Sequence, residues 1–170
     1  MSKSTVHDLS KYRAEQLVED GKHQISIGEL DAALLTFEKS NSFYENSEAY
    51  TYLAWVQSLK GFTDKAIELC KKAIELDPDF GNPLNDLGSY LIQKNQLDEA
   101  IPWLEKAKEA KRYEVKHFPH MNLGRIYSAQ GKISQAIDEF RKALQYTPGH
   151  NEIQKVLAHL ENLKNNQINA

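Results

Sequence analysis

Apolar residues recur at helical spacing along most of this chain, in short segments that end at regular intervals. Residues 121–148 show the pattern most clearly, as two apolar stripes on either side of a break at Gly131. The first stripe consists of Leu123, Gly124 and Tyr127, and the second consists of Ala136, Phe140 and Ala143. Each spacing places its residues on one face of an amphipathic helix, and neither helix can bury that face alone. The stretch therefore predicts a helix pair that needs similar neighbours.

The rest of the chain supplies those neighbours at a fixed period. The small residues of the first helices are Gly21, Ala54, Gly88 and Gly124, those of the second helices are Ala33, Ala66, Ala100 and Ala136, and the breaks are at Gly28, Gly61, Asn95 and Gly131. All three series have intervals of 33, 34 and 36 residues, which indicates a stacked helical solenoid with two helices per unit. Small residues are expected where paired helices cross closely, and Asp31, Asp64 and Asp98 are interpreted as N-caps of second helices.

These residues resemble the tetratricopeptide repeat family, whose units carry a large residue, Leu-Gly and Tyr in the first helix and Ala, Phe, Ala and Pro in the second. Residues 121–148 match that pattern almost completely, including the closing Pro148. Earlier units depart at single positions, with Cys70 in the aromatic slot of the second unit and Gln24 in place of the tyrosine of the first. The resemblance covers about nine-tenths of the chain. It implies an all-α fold, a right-handed superhelical solenoid of four helix-turn-helix units plus a C-terminal capping helix.

The period also sets the expected boundaries. A single repeat domain is predicted over residues 10–164, with residues 1–9 as a flexible N-terminus and residues 165–170 as a disordered tail. The units are expected at about residues 14–46, 47–80, 81–116 and 117–150, followed by a capping helix at 151–164. The longest interval places two extra residues in Lys108–His120, so we expect either a longer second helix or a bulged connection there.

Composition narrows the functional classes. The 170 residues are 41% hydrophobic and 26% charged with a net charge of −3, as in a globular protein, and that charge is too small to indicate nucleic-acid binding by itself. The single cysteine, Cys70, excludes a disulfide framework and is expected to pack in the interior. No apolar run reaches membrane-spanning length, and the N-terminus lacks the apolar segment of a secretory signal. We therefore predict a cytoplasmic protein with no nucleic-acid or membrane partner.

The sequence contains no recognisable catalytic motif: there is no Gly-rich phosphate loop, no HExxH and no cysteine cluster. His117 and His120 lie three residues apart and would share a helical face, but a metal site needs further ligands. We interpret them as an ordinary pair beside Pro119. The basic run Lys106–Lys116 is interleaved with glutamates and is interpreted as a solvated face rather than a phosphate site. No catalytic residue, metal or cofactor is assigned, and the protein is predicted not to be an enzyme.

The resemblance implies that exposed residues of the first helices line a concave groove that binds a peptide or helix of another protein. Mapped from the small residues, the groove candidates are Lys22, Tyr52, Trp55, Asn85, Asp86, Ser89, Asn122, Arg125, Lys155 and His159. Tyr52 and Trp55 are aromatic anchors of the kind enriched in binding hot spots, whereas Asn122 and Arg125 suit amides and carboxylates of a partner. Each has a structural alternative, since Trp55 could pack against a neighbouring repeat, the asparagines could cap turns, and Arg125 could pair within the chain.

Three functions stay open at this point. The favoured one is a non-enzymatic adaptor or scaffold whose protein partner contributes a peptide or helical segment, with acidic groups as one expected feature. The alternative is a self-associating structural repeat protein, a homo-oligomer built through aromatic residues outside the repeat pattern, namely Tyr12, Tyr44, Tyr113 and Phe118. A metal-binding or catalytic protein built on His117 and His120 is the least favoured.

Overall fold

The structure is a computed structural model that describes residues 3–168. Over that range the chain forms nine α-helices. They are α1 (Lys3–Ser26), α2 (Leu30–Phe43), α3 (Ser47–Leu59), α4 (Thr63–Leu76), α5 (Gly81–Gln93), α6 (Leu97–Glu109), α7 (His117–Ala129), α8 (Ile133–Tyr146) and α9 (Asn151–Ile168). None of these helices is long and apolar enough to cross a bilayer.

The helices pair in chain order, α1 with α2, α3 with α4, α5 with α6 and α7 with α8. Each second helix also packs on the first helix of the next unit, and α9 covers α8 in the same way. The apolar core is therefore a series of clusters along the stack, from the one around Val18 and Phe37 to the one around Phe140 and Leu160. This arrangement is the all-α repeat solenoid that the period predicts.

The small residues lie at close helix crossings, as predicted. A Cβ atom at Gly21 would lie 2.5 Å from Phe37 Cε1, and one at Gly124 would lie 2.9 Å from Phe140 Cε2. The second unit has Ala54 at this position, fully buried. In the first and fourth units an aromatic ring of the second helix thus packs directly on the backbone of the first helix, whereas Leu104 takes that place against Gly88 in the third unit.

The breaks predicted within each unit are left-handed turns. Gly28, Gly61, Asn95 and Gly131 have φ values of 84°, 85°, 59° and 71°. In the first of these turns the Glu29 N–H donates to the Gln24 carbonyl at 2.8 Å, which is the long hydrogen bond of a Schellman motif. Asparagine tolerates this conformation better than other residues with a side chain, which explains Asn95.

The aspartates predicted as N-caps lie inside the first turn instead. Helices α2, α4 and α6 each begin one residue before the aspartate, and their capping residues accept no side-chain hydrogen bond. The carboxylates reach the next unit: Asp31 pairs with Lys60, Asp64 pairs with Lys94, and Asp98 accepts from Gln130 Nε2. They therefore link successive units, while their negative charge still lies near the positive end of a helix.

Helices extend into both segments that the sequence predicts as a flexible N-terminus and a disordered tail. Helix α1 includes residues 3–9, and α9 includes residues 165–168. No glycine or proline interrupts the chain from Lys3 to Asp20, so a helix held by the buried Ala14 and Val18 continues outward at little cost. Residues 1–2 and 169–170 lie outside the described residues.

The two extra residues of the third unit lie in the connection between α6 and α7, because α6 is only 13 residues long. This connection pairs with the link between α4 and α5: Arg112 N–H donates to the Asp79 carbonyl at 3.0 Å, and Gly81 N–H donates to the Arg112 carbonyl at 3.1 Å. Tyr113 is buried directly on Gly81, where a Cβ atom would lie 2.3 Å from Tyr113 Cβ. Of the two expected outcomes, the structure has the bulged connection.

Candidate functional site

The first helices form one continuous inner face, because α1 contacts α3, α3 contacts α5, and α5 contacts α7. The structure distributes the groove candidates over this face with very different exposure. Asn85 and Asn122 are buried, Lys22, Tyr52, Asp86 and Ser89 are half-buried, and Trp55, Arg125, Lys155 and His159 are exposed. The inner face is therefore a row of buried polar groups with exposed side chains between them.

Lys22 is bound within the chain. Its Nζ lies 2.7 Å from Glu19 Oε1, forms an ion pair with Glu48 on α3, and sits 5.3 Å from the centre of the Tyr52 ring. Burial by itself would lower the pKa of Lys22, but the hydrogen bonds to Glu19 and Glu48 outweigh it and raise that pKa above its usual range. Lys22 thus joins α1 to α3 and is not a free cation.

Aromatic rings connect the core of the first unit to the surface of the second. Tyr52 stacks on Phe37 with ring centres 5.3 Å apart and an interplanar angle of 9°. Trp55 meets Tyr52 edge to face at 6.3 Å and is 41% exposed. Trp55 is therefore presented to solvent on a rigid aromatic base, rather than packed between repeats.

A hydrogen-bond ladder runs along the middle of the inner face. Arg125 donates to Asn122 Oδ1 at 3.5 Å, and Asn122 Nδ2 donates to Asn85 Oδ1 at 3.1 Å. Asp86 is the next residue of α5 after Asn85, and burial raises the pKa of its carboxyl to about 7 although the Asn85 side chain lowers that pKa. The two asparagines thus join α5 to α7, with the exposed guanidinium of Arg125 at one end of the ladder and a half-buried carboxyl at the other.

An apolar cavity lies beside Arg125 at the C-terminal end of the inner face. It has a volume of about 180 Å³ and is lined by Met121, Phe140, Ile153 and Val156, with Arg125, Ser128 and Glu152 also on its wall. Arg125 lies 3.8 Å from Glu152, and both side chains are largely exposed. The cavity has room for one apolar side chain next to a positive charge.

The remaining groove candidates are not brought into these clusters. Within the described residues, Ser89, Lys155 and His159 make no side-chain hydrogen bond or ion pair. Of the residues that line the cavity, only Arg125 is among the predicted groove residues, and Glu48 is not among them either. Glu48 lies six residues before Ala54 in α3, and Glu152 lies six residues before Ala158, which has the equivalent place in α9; this shared offset is the signal that would have found both glutamates.

The two histidines considered for a metal site diverge. His120 Nδ1 lies 2.6 Å from Glu139 Oε2, and its ring stacks on Tyr146, whereas the His117 ring faces His150 at 6.5 Å between centres. No group of three potential metal ligands occurs in the described part of the chain. Burial raises the pKa of Glu139, but hydrogen bonds from His120 and Lys142 and the charge of Lys108 lower it to about 2. His120 therefore belongs to a buried hydrogen-bonded cluster around Glu139.

Cys70 and the basic run have structural roles. Cys70 is fully buried, and burial together with the nearby Asp86 raises the pKa of its thiol well above the usual value. Lys108 pairs with Glu105 and Glu139, Lys111 with Asp79, and Arg112 with Asp77. The run is thus largely neutralised by carboxylates of its own chain.

The paired and stacked helices make this protein a helical-repeat solenoid. This chain belongs to the tetratricopeptide repeat family, whose models match residues 60–113 and 117–150. Small glutamine-rich tetratricopeptide repeat-containing protein 2 of Mycosarcoma maydis is 33% identical over 103 residues, which cover 60% of this chain and 29% of that protein. Protein O-mannosyl-transferase TMTC1 of Homo sapiens is 31% identical over 122 residues, which cover 69% of this chain and 14% of that protein. This chain therefore spans less than a third of the length of these relatives.

Solved structures share the fold. PilF of Pseudomonas aeruginosa superposes with a TM-score of 0.85 and 21% identity, covering 95% of this chain and 72% of PilF. YrrB, described as a TPR protein with an unusual peptide-binding site, superposes with a TM-score of 0.71 and 21% identity, covering 98% of this chain and 85% of YrrB. At such identities the likeness concerns the fold.

Proposed function

We propose that this protein is a non-enzymatic interaction module that binds an extended or helical segment of another protein along its inner face. The observation that carries the proposal is the pair of exposed hot-spot residues on that face, Trp55 on its aromatic base and Arg125 beside the apolar cavity. Tryptophan and arginine dominate the energetics of many protein interfaces. The peptide-binding site named for YrrB, a solenoid of the same fold, supports the proposal.

The partner segment is held in three ways. Trp55 packs against one of its apolar side chains, and a second apolar side chain enters the cavity near Met121. Arg125 has donors beyond the one directed at Asn122, and these bind a carboxylate or carbonyl of the segment. Because Trp55 and Arg125 are held by neighbouring side chains before binding, little conformational entropy is lost when the segment docks.

Affinity capture with Trp55→Ala and Arg125→Glu tests the proposal. Each variant is expected to bind the partner at least about tenfold more weakly than the wild type, since the loss of a hot-spot side chain costs more than about 1.4 kcal/mol of binding free energy. Matched controls are Phe62→Ala, an exposed aromatic outside the inner face, and Lys71→Glu, an exposed cation on α4. Capture of the same proteins in equal amounts by groove variants and controls would show that the groove is not the binding surface.

Self-association is a second candidate, favoured by an exposed apolar stripe on α1. Val6 and Leu9 are each 50% exposed and Tyr12 is 61% exposed. Of the aromatic residues expected to serve this role, Tyr113 is buried and Tyr44 is half-buried, so only Tyr12 and Phe118 are well exposed. A monomeric mass in sedimentation equilibrium at high protein concentration would eliminate it. Cytoplasmic location, an adaptor role and the absence of a nucleic-acid or membrane partner stay predictions.

A further inference from the structure

A cleft of about 670 Å³ opens at the N-terminal edge of the inner face. Its walls come from α1, from the connection between α2 and α3, and from the end of α4 together with Arg112. Five carboxylates line it, those of Glu15, Glu19, Glu45, Glu48 and Asp77. We call this the acidic cleft. It continues into the inner face, because Glu19 and Glu48 both bind Lys22.

The acidic cleft is not neutralised by its own chain. Its cations are Lys11 and Arg112 on the wall and Lys22 behind it, so five carboxylates face three cations and two negative charges are in excess. Lys22 and Arg112 are already bound to cleft carboxylates. Glu15 is exposed and forms no ion pair with any residue that the structure describes. The cleft therefore has carboxylates that can still bind a cation from outside the chain.

A buried hydroxyl points to a missing partner at the same place. Ser47, the first residue of α3, is 7% exposed and lines the acidic cleft. Its Oγ is buried and has no hydrogen-bond partner within the described residues. Most buried hydroxyls in folded proteins are satisfied, because an unpaired one loses its hydration without compensation. This observation is independent of the charge and indicates that a polar group from outside completes the cleft.

We propose that the acidic cleft binds lysine or arginine side chains of the partner segment, whose backbone meets the hydroxyl of Ser47. The proposal rests on the proposed function and names the chemistry of the segment at one end. Arginine matches paired carboxylates through its planar fork, and both cations are attracted by the excess negative charge. The segment therefore carries basic residues over α1 and α3 and runs towards Arg125, where its acidic or apolar residues bind. The sequence predicts acidic groups on the partner, and we place these only at the end of the segment that binds near Arg125.

Other occupants fit the cleft less well. The described residues hold no group of three ligands suited to a metal ion. Nucleic acids and anionic lipids carry negative charge and are repelled by five carboxylates. A basic peptide segment meets both the charge and the unpaired hydroxyl.

Selection from a random peptide library displayed on phage tests the inference with the full chain as bait. Wild-type protein is expected to select peptides rich in lysine and arginine at one end, with affinities that fall as salt is raised. A Glu15→Gln/Glu48→Gln variant should bind those peptides roughly fivefold more weakly, the scale of partly exposed ion pairs. The control Glu29→Gln/Glu38→Gln makes the same change of net charge on exposed residues of the α2 region and should bind as the wild type does.

Two further variants protect the test against loss of folding. Glu15→Gln alone breaks no internal ion pair, and Ser47→Ala removes no internal hydrogen bond, so both should keep the wild-type melting temperature and still weaken binding. Selected peptides without basic enrichment, or with equal affinity for cleft and control variants, overturn the inference. Failure to select any peptide that depends on Trp55 or Arg125 overturns the proposed function instead, so the two failures are distinguishable.

Discussion

The two ends of the inner face use the same repeat position in opposite ways. Lys22 and Arg125 each follow the small residue of a first helix, and each faces a glutamate on the next first helix. The Lys22 side chain is 28% exposed and is bound by Glu19 as well as Glu48. The Arg125 side chain is 52% exposed and lies 3.8 Å from its single glutamate. Equivalent cations therefore form an internal strut at one end and an available binding group at the other.

The difference comes from what surrounds each cation. Tyr52 and Val156 occupy equivalent positions: Tyr52 lies two residues before Ala54 in α3, and Val156 lies two residues before Ala158 in α9. Nζ of Lys22 lies 5.3 Å from the Tyr52 ring centre, whereas the smaller Val156 lines an open cavity beside Arg125. Repeat position places a side chain on the inner face, and its neighbours decide whether it is free to bind.

The largest expected effect on stability comes from Glu139, which lies beneath the C-terminal end of the inner face. We expect Glu139→Gln to lower the free energy of unfolding by about 3 kcal/mol at neutral pH, because it removes the buried carboxylate that pairs with Lys108 and Lys142 and contacts His120 Nδ1. The pKa of Glu139 in the fold is about 2, below its ordinary value of 4.5. Its contribution is therefore present above about pH 4.5 and is lost as pH falls towards 2. Urea denaturation across this range should show that slope in the wild type and not in the variant.

The exposed neighbour Asp138 provides the control, since Asp138→Asn makes a similar chemical change without touching the buried network. Equal stability of the two variants at neutral pH would show that the network does not support the C-terminal end.

Asp86, between the two ends, should respond to pH with the opposite sign. Burial raises its pKa to about 7, so the stability linked to Asp86 is present below the unfolded pKa of about 4 and is lost as pH rises through 7. Asp86→Asn should therefore raise the free energy of unfolding at pH 8 by about 2 kcal/mol, a value reduced for partial exposure. Thermal melts from pH 4 to pH 8 measure the effect, with the exposed Asp20→Asn as a control. A variant less stable than the wild type at pH 8 would contradict this account.

The smallest expected effect is the difference in stability between variants of Lys22 and Arg125. Lys22→Met should cost about 1 kcal/mol of unfolding free energy, because it removes a strut bound by two carboxylates, whereas Arg125→Met should cost less than about 0.5 kcal/mol. Binding of selected peptides should show the reverse order, with the larger loss for Arg125→Met. Chemical denaturation and fluorescence anisotropy measure the two properties separately. Equal effects on stability would mean that the two positions do not differ.

Much of the fold was predictable because each repeat uses local rules. Gly21 and Gly124 mark the crossings, and left-handed turns follow at the same interval in every unit. The placement of the inner face follows from the same period. The capping prediction failed because Asp31, Asp64 and Asp98 satisfy a neighbouring unit rather than their own helix. That choice depends on how units stack.

The contacts within the candidate site were less predictable. Asn85 and Asn122 are 37 residues apart, and their hydrogen bond exists only because α5 and α7 approach each other. The acidic cleft likewise gathers carboxylates from α1, from the connection between α2 and α3, from α3 and from Asp77 after α4. The asparagine pair and the carboxylate cluster both form only because successive units stack on one another.

The repeat and the pairing of helices within each unit could be predicted from the sequence, since periodicity and the need for small residues at crossings are properties of the chain. The neutralisation of Lys22, the exposure of Arg125 beside a cavity and the unpaired hydroxyl of Ser47 among carboxylates follow from the tertiary structure alone. Those outcomes depend on distances between helices that are far apart in the chain, and electrostatic and hydrogen-bond energies change steeply with such distances.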